Sequence, residues 1–399
     1  MGRQRFDTVK KYLHFNNNAN EQEINTPNYD KLFKIRPVID AIRKKCNEID
    51  QEEHQSVDEQ IIPTKSRSSL KQYLPNKPHK WGYKVISRAG QSGIIYDFEM
   101  YTRKNDSIVP QDGLGISSTY VMRLSEGIPN GKNYKLFYDN WFSSVPLAVK
   151  LYERGIFSLA TIRANRLKGC ILKEEKDLKK EGRGSHDSQV ETTNNIIAIK
   201  WFDNKAVHVI STYAGINPLD TYRRWDGKAK CYITIERPFA IKEYNNFMGG
   251  VDLSDMLIML YKINFKSRKW YMRIFYFFLD LAVVNAWLIY RRVMKRINNN
   301  RPLRLVDFKE DISEGLLQAP QPKRGRPSQS PATSKKRQRP VTPAQSIRYD
   351  SISHLPEYSE KRLRCKLCIQ GQSRIKCSKC NVGLCITKEK DCFIKYHTK

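Results

Sequence analysis

Residues 274–290, IFYFFLDLAVVNAWLIY, constrain the fold most, because so many consecutive apolar side chains must leave water. The run is marginally short for a bilayer span and carries Asp280 and Asn285, which are costly in lipid. A buried core helix is the better reading. The helical pattern over 271–294 is broad enough to predict burial on most sides. The N-terminus, MGRQRFDTVKKYLHF, has no apolar signal core, and Phe6 stands where a myristoylation signal needs Ser or Thr. No membrane span, export signal or lipid anchor is expected.

Upstream, residues 81–88 and 94–101 flank a glycine-containing turn. In the second run Tyr96, Phe98 and Met100 alternate with Ile95, Asp97 and Glu99, predicting a hairpin with one buried face. Residues 134–138 read as a short apolar strand ending at Asp139. Ser144 then caps a helix with Pro146 in its first turn, Gly155 stops it, and 157–162 is a further strand. Hairpin, strand, helix, strand is the order of a mixed α/β sheet with helices packed on it. Residues 166–185 turn to Lys, Glu and Gly before strands resume at 196–199 and 207–211, the pattern of an insertion. Residues 1–55 are polar and helix-prone, with Phe6, Val9, Tyr12 and Leu13 at helical spacing.

The 71 Lys and Arg against 41 Asp and Glu leave a formal net charge of +30, a field suited to a polyanion. Nucleic acid is the leading partner class, and an anionic membrane surface or a ribosomal location its competitor. Within 65–84, Lys65, Arg67, Lys71, Lys77 and Lys80 interleave with Tyr73, Trp81 and Tyr83; a solvated loop has this composition, and so does a surface gripping phosphates while rings stack on an unpaired base. Trp141 suits such a wedge or a core position equally. After residue 317 the chain is a basic, Pro- and Ser-rich linker with nothing to bury. Its Lys323-Arg324-Gly325-Arg326-Pro327 resembles an AT-hook, whose glycine lies deep in a narrow minor groove between arginines, and 335–339 (KKRQR) reads as a nuclear-import signal.

The tail brings His354, Cys365-x-x-Cys368, Cys377-x-x-Cys380, Cys385, Cys392 and His397 together. Two CxxC pairs eight residues apart indicate zinc, and eight ligands fill two closed, structural sites. The expected interleaving puts Cys365, Cys368, Cys385 and His354 on one ion, and Cys377, Cys380, Cys392 and His397 on the other. The RING- or PHD-like look of the pattern brings in ubiquitin transfer or histone-tail reading as rivals. Cys46, Cys170 and Cys231 read as ordinary thiols in a reducing compartment.

Composition cannot select catalytic carboxylates from 41 acids, and most aspartates are caps or surface charges. Four blocks in order do: SVDEQ, LPNKPHKWGYK, YDNWFSS and YNNFMGGVDLSDM resemble those around the catalytic acids of piggyBac transposases and their domesticated relatives. The resemblance implies an RNase H-like core with an insertion between the second and third acids. It makes Asp58, Asp139 and Asp252 a triad holding two Mg²⁺, with Asp255 nearby, and turns the zinc module into a binder of DNA ends.

The implied segments are a helical remnant (1–55), first core part (56–163), insertion (164–245), last core part (246–310), basic linker (311–350) and zinc module (351–399). The implied function is cut-and-paste transposition at TTAA targets by a nuclear homodimer acting on double-stranded transposon ends and target, without a small-molecule substrate. Family members carry a long region ahead of the block that begins here, so the chain is expected to be an N-terminally shortened member. Its alternatives are a domesticated, inactive DNA- or chromatin-binding protein, or a zinc-module protein whose partner is another protein.

Overall fold

A computed structural model of the protein describes residues 2–23, 26, 29–75, 77, 79–102, 113–227, 229–298, 301–318, 343–368 and 370–398. The polar N-terminal segment contains α1 (Arg3–Tyr12) and α2 (Arg36–Asn47). The apolar side chains on α1 are not core: Phe6, Val9 and Tyr12 are all exposed. The chain forms two compact units, Met1–Leu305 and Val306–Lys399.

The first unit is built on a nine-stranded sheet. Its strands are β1 (His54–Pro63), β2 (Gln72–Tyr73), β3 (Trp81–Gly90), β4 (Ile95–Met100), β5 (Lys135–Tyr138), β6 (Phe157–Thr161), β7 (His186–Glu191), β8 (Ile196–Phe202) and β9 (Ala206–Ser211). Antiparallel β4-β3-β1 continues into the parallel run β1-β5-β6, the RNase H-like arrangement the resemblance implies. The expected hairpin is β3–β4, but both faces of β4 are buried, not one. Arg43 neutralises Asp97 at 2.5 Å and Arg123 neutralises Glu99 at 2.5 Å, so alternating acids sit inside at tolerable cost.

The helices α3 (Ile116–Ser125), α4 (Val145–Glu153) and α5 (Glu175–Glu181) follow the chain around this sheet. Ser144 caps α4 as read, accepting from the Leu147 amide at 3.3 Å. Of the span expected as an insertion, β8 and β9 join the core sheet through β6. A separate two-stranded ribbon, β10 (Asp220–Asp226) and β11 (Cys231–Arg237), stands off it.

Then come α6 (Phe239–Phe247), α7 (Gly250–Leu260) and α8 (Trp270–Arg296). Half of the most apolar stretch of α8 is buried, less than the breadth of its pattern predicts. Its polar pair is inside and satisfied: Asp280 accepts from the Ile263 amide at 2.8 Å. Asn285 accepts from the amide of Ile95 at 2.9 Å and donates to its carbonyl at 2.8 Å, behaving towards β4 as a neighbouring strand would.

Two apolar clusters sandwich the sheet. Val57, Leu136 and Tyr138 belong to one; Phe137, Leu159, Trp201, Ile235 and Ala240 to the other. The second unit contains most of α9 (Leu305–Gln318), then α10 (Gln345–Arg348), the hairpin β12 (Pro356–Arg364) and β13 (Gln372–Cys377), and α11 (Cys392–His397).

Candidate active site and metal centres

Asp58 lies in the middle of β1, not at a strand end, and Val57 beside it faces the first cluster, so alternation turns Asp58 to the face of Phe137. Burial pushes its carboxyl up to about 7; repulsion from Asp139 and Asp252 adds to this, while the Glu59 amide at 2.7 Å and Lys77 oppose it. Asp139 follows β5 as read and accepts from the Trp141 amide at 2.8 Å. Burial raises its pKa too, with Glu59 repelling and Lys84 attracting.

Asp252 is exposed in the first turn of α7. Asp255, three residues on, accepts from Gln60 Nε2 at 2.7 Å; burial pushes it up to about 6, and Asp252 adds repulsion. Gln60 accepts in turn from Ser87 at 2.6 Å. A strand, a loop and a helix thus bring the acids into one field. Gly250 makes this possible, since a Cβ there would meet the Gly90 carbonyl oxygen at 2.4 Å and Ser56 Oγ at 2.9 Å, and only its lack lets α7 approach β1 and β3 so closely.

Sequence reasoning passed over four neighbours of the acids. Glu59 takes Lys84 at 2.5 Å and Lys77 at 3.7 Å. Half-buried Tyr244, in the field of Asp139, Asp58 and Asp252, has its phenol pushed upward chiefly by burial, and its hydroxyl is 3.5 Å from Thr161. Gln60 and buried Lys84 complete the set. All four lie within or beside the quoted blocks, the one signal that could have found them. A cavity of about 310 Å³ opens next to Glu59 and Asp255, walled by Ile61, Met259, Phe265 and Tyr276.

Among the basic residues, Lys65, Arg67 and Lys80 are exposed. The Lys71 ammonium lies 4.8 Å from the Trp81 ring, which is itself 4.8 Å from Tyr73. Lys77 turns towards Glu59 instead of outward. Trp141 is half-buried against the core, with the Lys84 ammonium 3.6 Å from its ring centre. Arg324, Gly325, Arg326 and Pro327 lie outside the described residues.

The donors at the first centre are carboxylates, hard oxygens that suit Mg²⁺, and the burial and repulsion raising Asp58 are what a divalent cation would relieve. The carboxylates are coupled but do not draw together as tightly as two groups in the second unit. There, Cys365, Cys368, Cys385 and Cys392 form one quartet and His354, Cys377, Cys380 and His397 another, each with ligand atoms within 4.8 Å of one another.

The pairing expected from sequence is therefore corrected: His354 and Cys392 exchange places. The hairpin register decides it, because Pro356 pairs with Cys377 and so carries His354 to the Cys377 end. Cys392 is bonded to Cys385 through its amide at 2.9 Å.

Both groups fit zinc. The Cys368 and Cys385 sulfurs are 3.9 Å apart, against about 3.8 Å for two thiolates on a tetrahedral ion. His354 engages the Ile347 carbonyl and Asp350 through Nε2, each at 3.0 Å, leaving Nδ1 towards Cys377 and Cys380. His397 donates from Nδ1 to the Phe393 carbonyl at 2.8 Å, and its buried Nε2 has no hydrogen-bond partner, as a ligand atom would.

A family model described as Transposase IS4 matches residues 1–287. The chain belongs to the piggyBac transposase family. It is 30% identical to human PiggyBac transposable element-derived protein 3 over its whole length, covering 64% of that protein. It is also 30% identical to human PiggyBac transposable element-derived protein 2, over 92% of this chain and 59% of that one. The chain thus spans less than two thirds of the length of these piggyBac relatives. Its fold is that of a piggyBac transposase solved by electron cryo-microscopy as a synaptic complex with hairpin DNA: TM-score 0.65, 20% identity, 96% of this chain and 79% of that one covered.

Proposed function

We propose that this piggyBac family member is a DNA transposase acting in the nucleus as a homodimer, cleaving transposon ends and joining them at TTAA targets. Asp58, Asp139 and Asp252 would hold two Mg²⁺. The observation that carries the reading is the shared field of these acids, gathered from distant parts of the chain onto one sheet face. Bound there, Mg²⁺ supplies charge that activates an attacking oxygen and stabilises the leaving one.

The chain's own residues prepare that place. Gln60 fixes the Asp255 carboxylate, and the Trp141 and Glu59 amides orient Asp139 and Asp58. Lys77 and Lys84, paired with Glu59, temper the negative field without occupying the carboxylates. Exposed Lys65, Arg67 and Lys80, with Lys71 and the segment Arg324-Gly325-Arg326-Pro327, contribute phosphate and minor-groove contacts. The zinc module braces a DNA-binding surface.

Nicking and hairpin formation on labelled DNA carrying the element's own ends, in Mg²⁺, tests this. The unaltered chain should cleave, and Asp139→Asn and Asp252→Asn should bind without cleaving. Tight, salt-sensitive binding with no cleavage by any form would replace the proposal with a domesticated DNA-binding protein, the reading favoured by the derived-protein names of its relatives.

A further inference from the structure

The β10–β11 ribbon has no part in the acidic centre, yet its two faces differ in a way that calls for a partner. The inner face packs on the core. Ile235 is buried against Trp201, whose indole donates to the Glu236 carbonyl at 3.0 Å. Arg224 pairs with Asp203 at 3.0 Å, Asp226 with Arg183 at 3.6 Å, and Asp220 with Arg237. These contacts fix the ribbon to the core and neutralise both of its aspartates.

The outer face is set by the register: Thr221 opposite Glu236, Arg223 opposite Thr234 and Trp225 opposite Tyr232, with Lys230 at the turn. All seven are exposed, Trp225 by 51% and Tyr232 by 61%, and the single acid, Glu236, lies at the end away from the turn. The two rings meet edge to face at 5.2 Å and Arg223 lies 4.9 Å over Tyr232, so they form a preassembled basic and aromatic surface. The cluster under the ribbon contains Phe137 and Ala240, which places the ribbon on the same sheet face as Asp58.

We infer that this ribbon is a docking surface for duplex DNA, set beside the acidic centre, with Arg223, Trp225 and Tyr232 lying in a groove and Lys230 on phosphate. The inference rests on the DNA reading above. A two-stranded ribbon fits the width of a major groove, and Arg223 and Lys230, towards its turn, complement the phosphate walls. A duplex is favoured over a single strand because the rings already pack on each other and on Arg223 and present edges, not open stacking faces.

The test measures binding of the full chain to a labelled duplex of arbitrary sequence across a salt series. Arg223→Glu should weaken binding roughly tenfold and reduce the slope of log Kd against log salt by about 1. Thr234→Lys should tighten binding, a gain that misfolding cannot mimic. A thiol-tethered duplex should cross-link to a cysteine placed on the outer face, Thr234→Cys, in preference to a thiol-tethered single strand. Unchanged affinity and slope in both variants, while the unaltered chain binds, would overturn the ribbon's role and leave the DNA reading intact. Cross-linking confined to the single strand would overturn the choice of duplex, and failure of the unaltered chain to bind any duplex at low salt would remove both readings.

Discussion

The protein has two places suited to metal, and they are built on opposite principles. In the second unit, soft donors already lie within bonding range of a common centre and outer hydrogen bonds have selected the imidazole nitrogens. In the first, hard donors are held on three separate elements, one of them exposed, with burial and mutual repulsion holding a proton on Asp58 to about neutral pH. A closed quartet suits an ion that stays and holds the fold; a strained, half-open set suits ions that arrive with a substrate and leave exchangeable positions.

The sharpest way to break this contrast is to remove the soft ligands. Cys377→Ser with Cys380→Ser, or zinc chelation, should unfold the second unit, at a cost of ~10 kcal/mol of binding-coupled stability, while the first unit keeps its own thermal transition. Calorimetry with zinc titration reads both, and a second unit equally stable without zinc would end the structural assignment.

Next in size, Asp139→Asn should slow DNA nicking by about three orders of magnitude, ~4 kcal/mol of barrier, with the duplex Kd nearly unchanged. Equal loss of binding and cleavage would instead make Asp139 a folding residue.

A third prediction turns on pH. The Asp58 carboxyl is raised from an ordinary 3.8 to about 7 in the fold, so its protonated form is the one the fold favours. Its contribution is fully present below about pH 4 and is lost progressively as pH rises to about 7. Asp58→Asn lacks that loss, so in metal-free solution it should gain stability over the parent across this window. The gain should level off at on the order of 4 kcal/mol, and added Mg²⁺ should narrow the gap by stabilising the parent. A constant difference at every pH would mean that Asp58 is not a buried titrating acid. Smallest, Gly250→Ala should cost about 2 kcal/mol of stability by pushing α7 off the Gly90 carbonyl, read as a lowered melting temperature.

Much of this was legible in the chain because it was local. The strand before Asp139, the Ser144 cap, the β3–β4 hairpin and the eight zinc-type residues each occupy a few consecutive positions. What escaped was non-local. Zinc pairing depends on which end of a hairpin His354 reaches, and CxxC spacing is silent on that. The alternation in β4 signalled one solvated face, but Arg43 and Arg123, from distant helices, let both faces go inside. Strands β8 and β9 read as an insertion because a Lys- and Glu-rich stretch precedes them; pairing of β6 with β9, which sequence spacing does not reveal, draws them into the sheet.

The Asn285 amide on β4 has a consequence beyond satisfying two polar groups. A strand at the border of a sheet is an invitation to other strands, and a long buried one is a site where chains stick together. By answering both the amide and the carbonyl of Ile95, one side chain from α8 closes that border at its first residue. The helix that packs against this border thereby also protects the molecule against growing into its neighbours.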